Sequence, residues 1–228
     1  MSKQKANTSQ FPLYTSGFFL TLLVTKLTNM KKSLIGAVVG GIIIFIWQFI
    51  SWGAVNLHKP AQQYTPKQDA VMAVLNNNLE EGGYYIPNLP DGASTEEQQK
   101  AMQEMAGKPW ATVQYHKSMD TNMTMNMIRG FITNVITVWL LCWILLRLKN
   151  QDFGTIFTAS LFTGLIIFLN VPYVYHIWYQ SFDLMAHFLD AIVSWGITGL
   201  FLAWWLPRNV KRVDITNRSV SNVEHLNA

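Results

Sequence analysis

Four apolar stretches, each long enough to cross a lipid bilayer, constrain this chain more than any other feature of it. They run from Leu34 to Leu57, from Ile128 to Leu146, from Thr155 to about Tyr175, and from Leu184 to Leu206. A hydrocarbon core of ~30 Å needs about 20 apolar residues of helix to span it. Backbone N–H and C=O groups inside lipid find no water, so runs of this kind must be helices. Composition agrees, because half of the 228 residues are hydrophobic and only 13% are charged, about half the share usual in soluble domains. The expected fold class is all-α transmembrane: a four-helix bundle with a small α+β extracytoplasmic insert between helices 1 and 2. The lipid bilayer is then the first partner.

Lys and Arg in the short flanks orient such a bundle. Lys31 and Lys32 precede the first run, Arg147 and Lys149 lie between the second and third, and Arg208, Lys211 and Arg212 follow the fourth. In the long segment from His58 to Met127 acids outnumber lysines, and the turn from Ile177 to Asp183 has neither Lys nor Arg. These flanks predict cytoplasmic N and C termini and a periplasmic insert in a multi-pass protein of a bacterial inner membrane. The net charge of +4 is dispersed over short loops, which argues against nucleic acid as a partner.

The organisation expected is an N-terminal extension over 1–29, the first span within 30–57, the insert over 58–127, helices 2 to 4 over 128–207, and a polar cytoplasmic tail over 208–228. Phe11 to Val24 is apolar but short and closed by Lys26, which suits a signal-like or interfacial segment better than a span. Met30-Lys31-Lys32 before an apolar run reads as a natural N-terminus. Residues 1–29 are accordingly expected to be a mis-assigned start or a short amphipathic extension.

Inside the insert, Thr65 as N-cap and Pro66 as first helical residue predict a helix with Ala70, Val71, Val74 and Leu75 as its apolar stripe, broken by Gly82-Gly83. Tyr84 to Ile86 reads as a strand and Asp91-Gly92 as a turn. Ser94 or Thr95 caps a second helix to about Met105, Gly107 and Pro109 stop it, and Trp110 to His116 reads as a second strand. A core this thin is expected to lean on the membrane domain or on a partner.

The chemistry-bearing residues gather in the fourth run. Asp183, His187, Asp190, Ser194 and Thr198 share one helical face, and Asp190 lies about 10 Å deeper than Asp183 at 1.5 Å per residue. A charge at such depth is costly and faces the bundle interior or a water cavity. Asn170 and His176, just before the turn, could approach the same face. Three readings stay open: structural pairing between helices (Asp183 capping the fourth helix, Asp190 bonded to His187 or Asn170), proton or solute handling, and a divalent ion on imidazole and carboxylate ligands. A weaker metal candidate is the run His116, Met119, Met123, Met125, Met127, soft enough for Cu(I) but equally a flexible filler at a membrane surface. Gly36 with Gly40, and Ser160 with Gly164, have the small-residue spacing that lets helices approach, within the bundle or between two copies. Asn134 fits an interhelical hydrogen bond, and the lone Cys142 a small buried side chain. No nucleotide, hydrolase or zinc-protease motif is present, so no cofactor and no enzymatic activity are expected.

Met30-Lys-Lys-Ser-Leu-Ile-Gly-Ala-Val-Val-Gly-Gly, then Phe45-Ile-Trp47 and Ser51-Trp52, resembles the opening of a group of small uncharacterised four-helix inner-membrane proteins of Gram-negative bacteria with no assigned activity. Gly83 to Pro87, Pro172-Tyr173, Trp178, Phe182-Asp183 and Asp190 extend that resemblance over Met30 to Leu206. It implies the architecture and a start at Met30, and nothing on mechanism. The functional expectation is a non-enzymatic accessory or assembly subunit of an envelope complex, as a homo-oligomer or within a larger assembly. Its alternatives are a small proton-coupled or ion/solute transporter using the Asp/His face, and an outer-face copper-binding protein.

Overall fold

The computed structural model describes residues 14–207. It is mostly helical, with four helices long and apolar enough to cross a membrane and one two-stranded sheet. Helix α1 runs Tyr14–Phe49 and continues into a wider π-helical turn, Ile50–Ala54. The remaining spans are α4 (Met123–Leu145), α5 (Phe153–Phe168) and α7 (Leu184–Trp205). A π turn, Leu169–Tyr173, and the short α6, Val174–Trp178, prolong α5. This is the make-up of a multi-pass membrane protein.

The first helix starts twenty residues before the predicted Leu34 and ends three before Leu57. Lys26, Lys31 and Lys32 do not interrupt it, since a charged side chain leaves a helical backbone intact. The expected interfacial segment is, from Tyr14 onward, continuous with the span; its earlier residues lie outside the described ones, as does the tail from Arg208.

Small residues seat the helices. A Cβ added at Gly40 would stand 2.7 Å from Val138 Cγ1, and one at Gly41 2.7 Å from Val135 Cγ2, so α1 lies directly on α4. At Gly164 an added Cβ would meet Trp195 Cδ1 at 2.6 Å and the Ala191 carbonyl at 2.7 Å, and Gly199 lies against Ser160. Both small-residue pairs foreseen in the sequence therefore pack inside the bundle. Val138, Leu141, Cys142, Leu145, Ile156 and Leu202 form the buried core between them. The outward faces are apolar too: Ile46, Phe49, Ile136, Ile166 and Trp204 are exposed, as suits helices whose surroundings are as apolar as their core.

The insert joins α1 to α4. It holds α2 (Gln68–Asn78), β1 (Gly82–Ile86), α3 (Thr95–Met105) and β2 (Ala111–Tyr115), with β1 and β2 antiparallel and Tyr84 opposite Val113. Ser94 and Glu97 close a capping box at the start of α3, and Gly92 and Gly107 take positive φ where the chain turns. Two local expectations fail. Helix α2 starts at Gln68, because Pro66 sits in a preceding turn where Thr65 Oγ1 accepts from the Lys67 N–H. It ends at Asn78, and Gly82-Gly83 open the strand instead of breaking the helix. Tyr115 is the insert's one buried hydrophobic residue, its hydroxyl donating to Asn76 Oδ1 at 2.6 Å. Tyr85 of β1 meets Tyr179 of the membrane domain edge-on, ring centres 5.7 Å apart.

Candidate functional site: a histidine held between two aspartates

The end of α1 builds the site. Its last turn widens so that the Val55 N–H reaches the Ile50 carbonyl, and Asn56 adopts φ of 54°. Asn is among the few non-glycine residues that enter this left-handed region readily. The Leu57 N–H then bonds back to the Ser51 carbonyl at 2.8 Å, and a 3-10 turn follows over Lys59–Ala61. The reversal carries His58 over the end of the bundle, where it is fully buried.

Both ring nitrogens of His58 face a carboxylate of α7. Nδ1 lies 2.8 Å from Asp183 Oδ2, and Nε2 lies 3.0 Å from Asp190 Oδ2. The indole N–H of Trp47 donates to Asp190 Oδ1 at 2.9 Å. Trp52 stacks on the imidazole, ring centres 3.7 Å apart and planes within 8°. His187 stands edge-on at 4.8 Å, its Nε2 3.4 Å from Asp183 Oδ2. Asp183 occupies the N-cap position of α7 but makes no side-chain cap bond; its carboxylate serves the cluster, where the positive end of the helix dipole also favours a negative charge.

A neutral imidazole has one N–H. It can donate to one of these two carboxylates, and at the other nitrogen a lone pair then faces an oxygen lone pair. Both contacts are favourable together only with one further cation, a proton or a metal ion, between nitrogen and oxygen. Among the described residues no Lys or Arg forms an ion pair with Asp183 or Asp190. Beside the cluster lies a cleft of about 340 Å³ between the helices, lined by Trp47, Gln48, Trp52, Asn134, His187 and Asp190 among others.

Of the residues singled out in the sequence, Asp183, His187 and Asp190 converge as described. Ser194 and Thr198 are buried below them on the same face, Ser194 Oγ donating to the Asp190 carbonyl. Asn170 is exposed in the π turn and does not join, and the predicted bond from Asp190 to His187 or Asn170 is replaced by those to His58 and Trp47. His176 stays in its own loop, Nδ1 accepting from the Ser181 N–H at 3.0 Å. Asn134 Nδ2 donates to Gln48 Oε1 of α1 at 2.8 Å, the interhelical bond its position suggested. His116 faces Glu81 at 3.4 Å, while Met119, Met123 and Met125 are exposed.

His58, Trp47 and Trp52 are the site residues that sequence reasoning missed. One signal was available. The first span ends and the fourth begins at the same end of the bundle, so a histidine just past the one lies level with aspartates at the start of the other.

Fold and site together define a helical multi-pass membrane protein with a histidine–dicarboxylate cluster at the end of the bundle where the insert begins. Compared with known proteins, the chain matches no family model, no curated protein and no solved structure.

Proposed function

We propose that this protein is a small ion or solute transporter of a bacterial inner membrane, working through the His58–Asp183–Asp190 cluster. The observation that carries the reading is the demand of that cluster for one cation beyond the proton of a neutral His58, next to a largely apolar cleft into which Gln48, Asn134, His187 and Asp190 bring polar groups. Asp190 lies within the apolar helix α7, and an ionisable side chain inside a span is costly and marks places where ions or protons are handled. The lysine and arginine flanks support cytoplasmic termini, with the cluster and insert at the periplasmic side. Four helices enclose little space, so a dimer is the natural working unit. Reconstitution into liposomes tests this. Wild-type protein is expected to carry cation flux that Asp190→Asn abolishes; equal flux from both proteins, or none above empty liposomes, removes the reading.

A second reading, an accessory subunit of an envelope complex, draws on a different observation. Val71, Met72 and Val74 of α2 are exposed, so the insert presents an apolar strip without a core behind it. Solubilisation in mild detergent followed by native electrophoresis is expected to show the chain in a larger hetero-complex if this reading holds. A band containing this chain alone counts against it.

A further inference from the structure

We infer that the cation of the cluster is a divalent transition-metal ion of the zinc type, ligated by His58, Asp183 and His187; this rests on reading the cluster as a cation-handling site. One ligand atom from each of these residues lies within 4.8 Å of the other two. The separation of 3.4 Å between His187 Nε2 and Asp183 Oδ2 matches the roughly 3.4 Å between neighbouring ligands of a tetrahedral ion bound at about 2.0–2.1 Å. The 2.8 Å from His58 Nδ1 to the same oxygen must open by about 0.6 Å to reach it. Small side-chain movements close the triad.

The surroundings point the same way. A metal-binding histidine characteristically donates its other ring N–H to a carboxylate, which fixes tautomer and orientation. His58 Nε2 has such a partner in Asp190, itself held by the Trp47 indole. That arrangement leaves His58 Nδ1 with a free lone pair directed at Asp183 and adjacent to His187. Charge agrees as well. One shared proton leaves the two aspartates with a net charge of −1, whereas a divalent ion with neutral imidazoles balances them.

Two imidazoles and one carboxylate form a borderline ligand set that suits zinc and its neighbours better than calcium or magnesium, which take oxygen cages. His187 is about one-third exposed and lines the cleft, so a fourth position stays open to water or solute and the ion can exchange. His58 closes the other side completely.

The test uses the full chain in detergent, stripped with chelator, loaded with Zn2+, freed of excess ion and analysed for metal per chain. One zinc per chain is expected. His187→Ala, a half-open position that should leave the fold intact, is expected to weaken binding at least tenfold, and Asp183→Asn likewise. Asp190→Asn acts only through His58 and should weaken it by about 10–100-fold while the stoichiometry at saturation stays at one. Co2+ in place of zinc should give the visible bands of a four-coordinate site, absent in His187→Ala. A folded, monodisperse wild type that takes up no zinc overturns the inference, as does uptake that His187→Ala and Asp183→Asn leave unchanged. Flux that depends on Asp190 in a protein that binds no zinc would sink the metal and keep the transport reading. Zinc bound without any flux would do the reverse.

Discussion

The two halves of the helical bundle are held together by different physics. Away from the insert, glycines let α1 lie on α4, and Val138, Leu141, Cys142, Leu145 and Leu202 fill the interior with no charge among them. Toward the insert, α1 and α7 meet through Trp47, His58, Asp183 and Asp190, a charged cluster beside a cleft. Dry packing suffices to associate helices in lipid, and a buried ion pair is weak evidence for stability. The contrast teaches that the charged half is not what makes this bundle a bundle. Its cost fits the cation site proposed above.

His58→Leu should show the largest effect and is the most direct way to break that contrast. It strands the buried Asp183 and the part-buried Asp190, and loss of one partner from a buried pair costs about 3–5 kcal/mol. His58→Gln combined with Asp183→Asn and Asp190→Asn removes every charge at once and should recover most of that loss while abolishing cation binding. Denaturation of the purified protein in mixed micelles reads both. A triple variant no more stable than His58→Leu would mean that the charges do hold the bundle.

Gly164→Ala probes the packed half. The new methyl would meet the Ala191 carbonyl at 2.7 Å and Trp195 at 2.6 Å, and a backbone atom cannot give way unless α5 and α7 part. Overpacking of this kind costs about 1–3 kcal/mol, against a helix-propensity gain of up to ~1 kcal/mol for replacing glycine. Net destabilisation with unchanged metal stoichiometry is the expected outcome in the same denaturation and metal assays. Loss of the metal would show the halves to be coupled.

Asn134→Leu tests the boundary between them. Its amide bonds Gln48 across α1 and α4 on the wall of the cleft, and interhelical hydrogen bonds in membranes average about 0.6 kcal/mol. A small loss of stability is expected, with a changed flux but intact zinc binding. A loss as large as that of His58→Leu would make the neutral pair part of the same cluster.

What the sequence revealed of these halves differs for a physical reason. Span length and the spacing Gly36-x-x-x-Gly40 are properties of one helix, so the packed half was legible almost in full. Asp183, His187 and Asp190 were legible too, since three-and-four spacing places them on one face of α7. Their partner was not. His58 comes from a chain reversal that depends on a widened turn and a left-handed Asn56, and no periodicity announces either. The same limit applies to α2, where Thr65-Pro66 had every local mark of a helix start yet the turn ahead of Gln68 took them.

The smallest effect belongs to a residue outside both halves. Asp152 caps α5 in the turn after α4, accepting from the Thr155 N–H at 3.0 Å and from its hydroxyl at 2.7 Å. Those bonds, the hydroxyl's first, hold its carboxyl below the ordinary carboxylate value. A depressed pKa stabilises the fold above the unfolded value and loses that contribution as pH falls through the folded one. The cap therefore acts fully at neutral pH and fades only in acid. Asp152→Ala should lower stability slightly at pH 7 and leave zinc binding and flux untouched. Compared with wild type across pH 7 to 2, the gap between the two denaturation midpoints should narrow toward the acid end. A gap that widens instead would mean that Asp152 is protonated in the folded protein and bonds its neighbours as an acid, reversing the direction assigned to it by geometry.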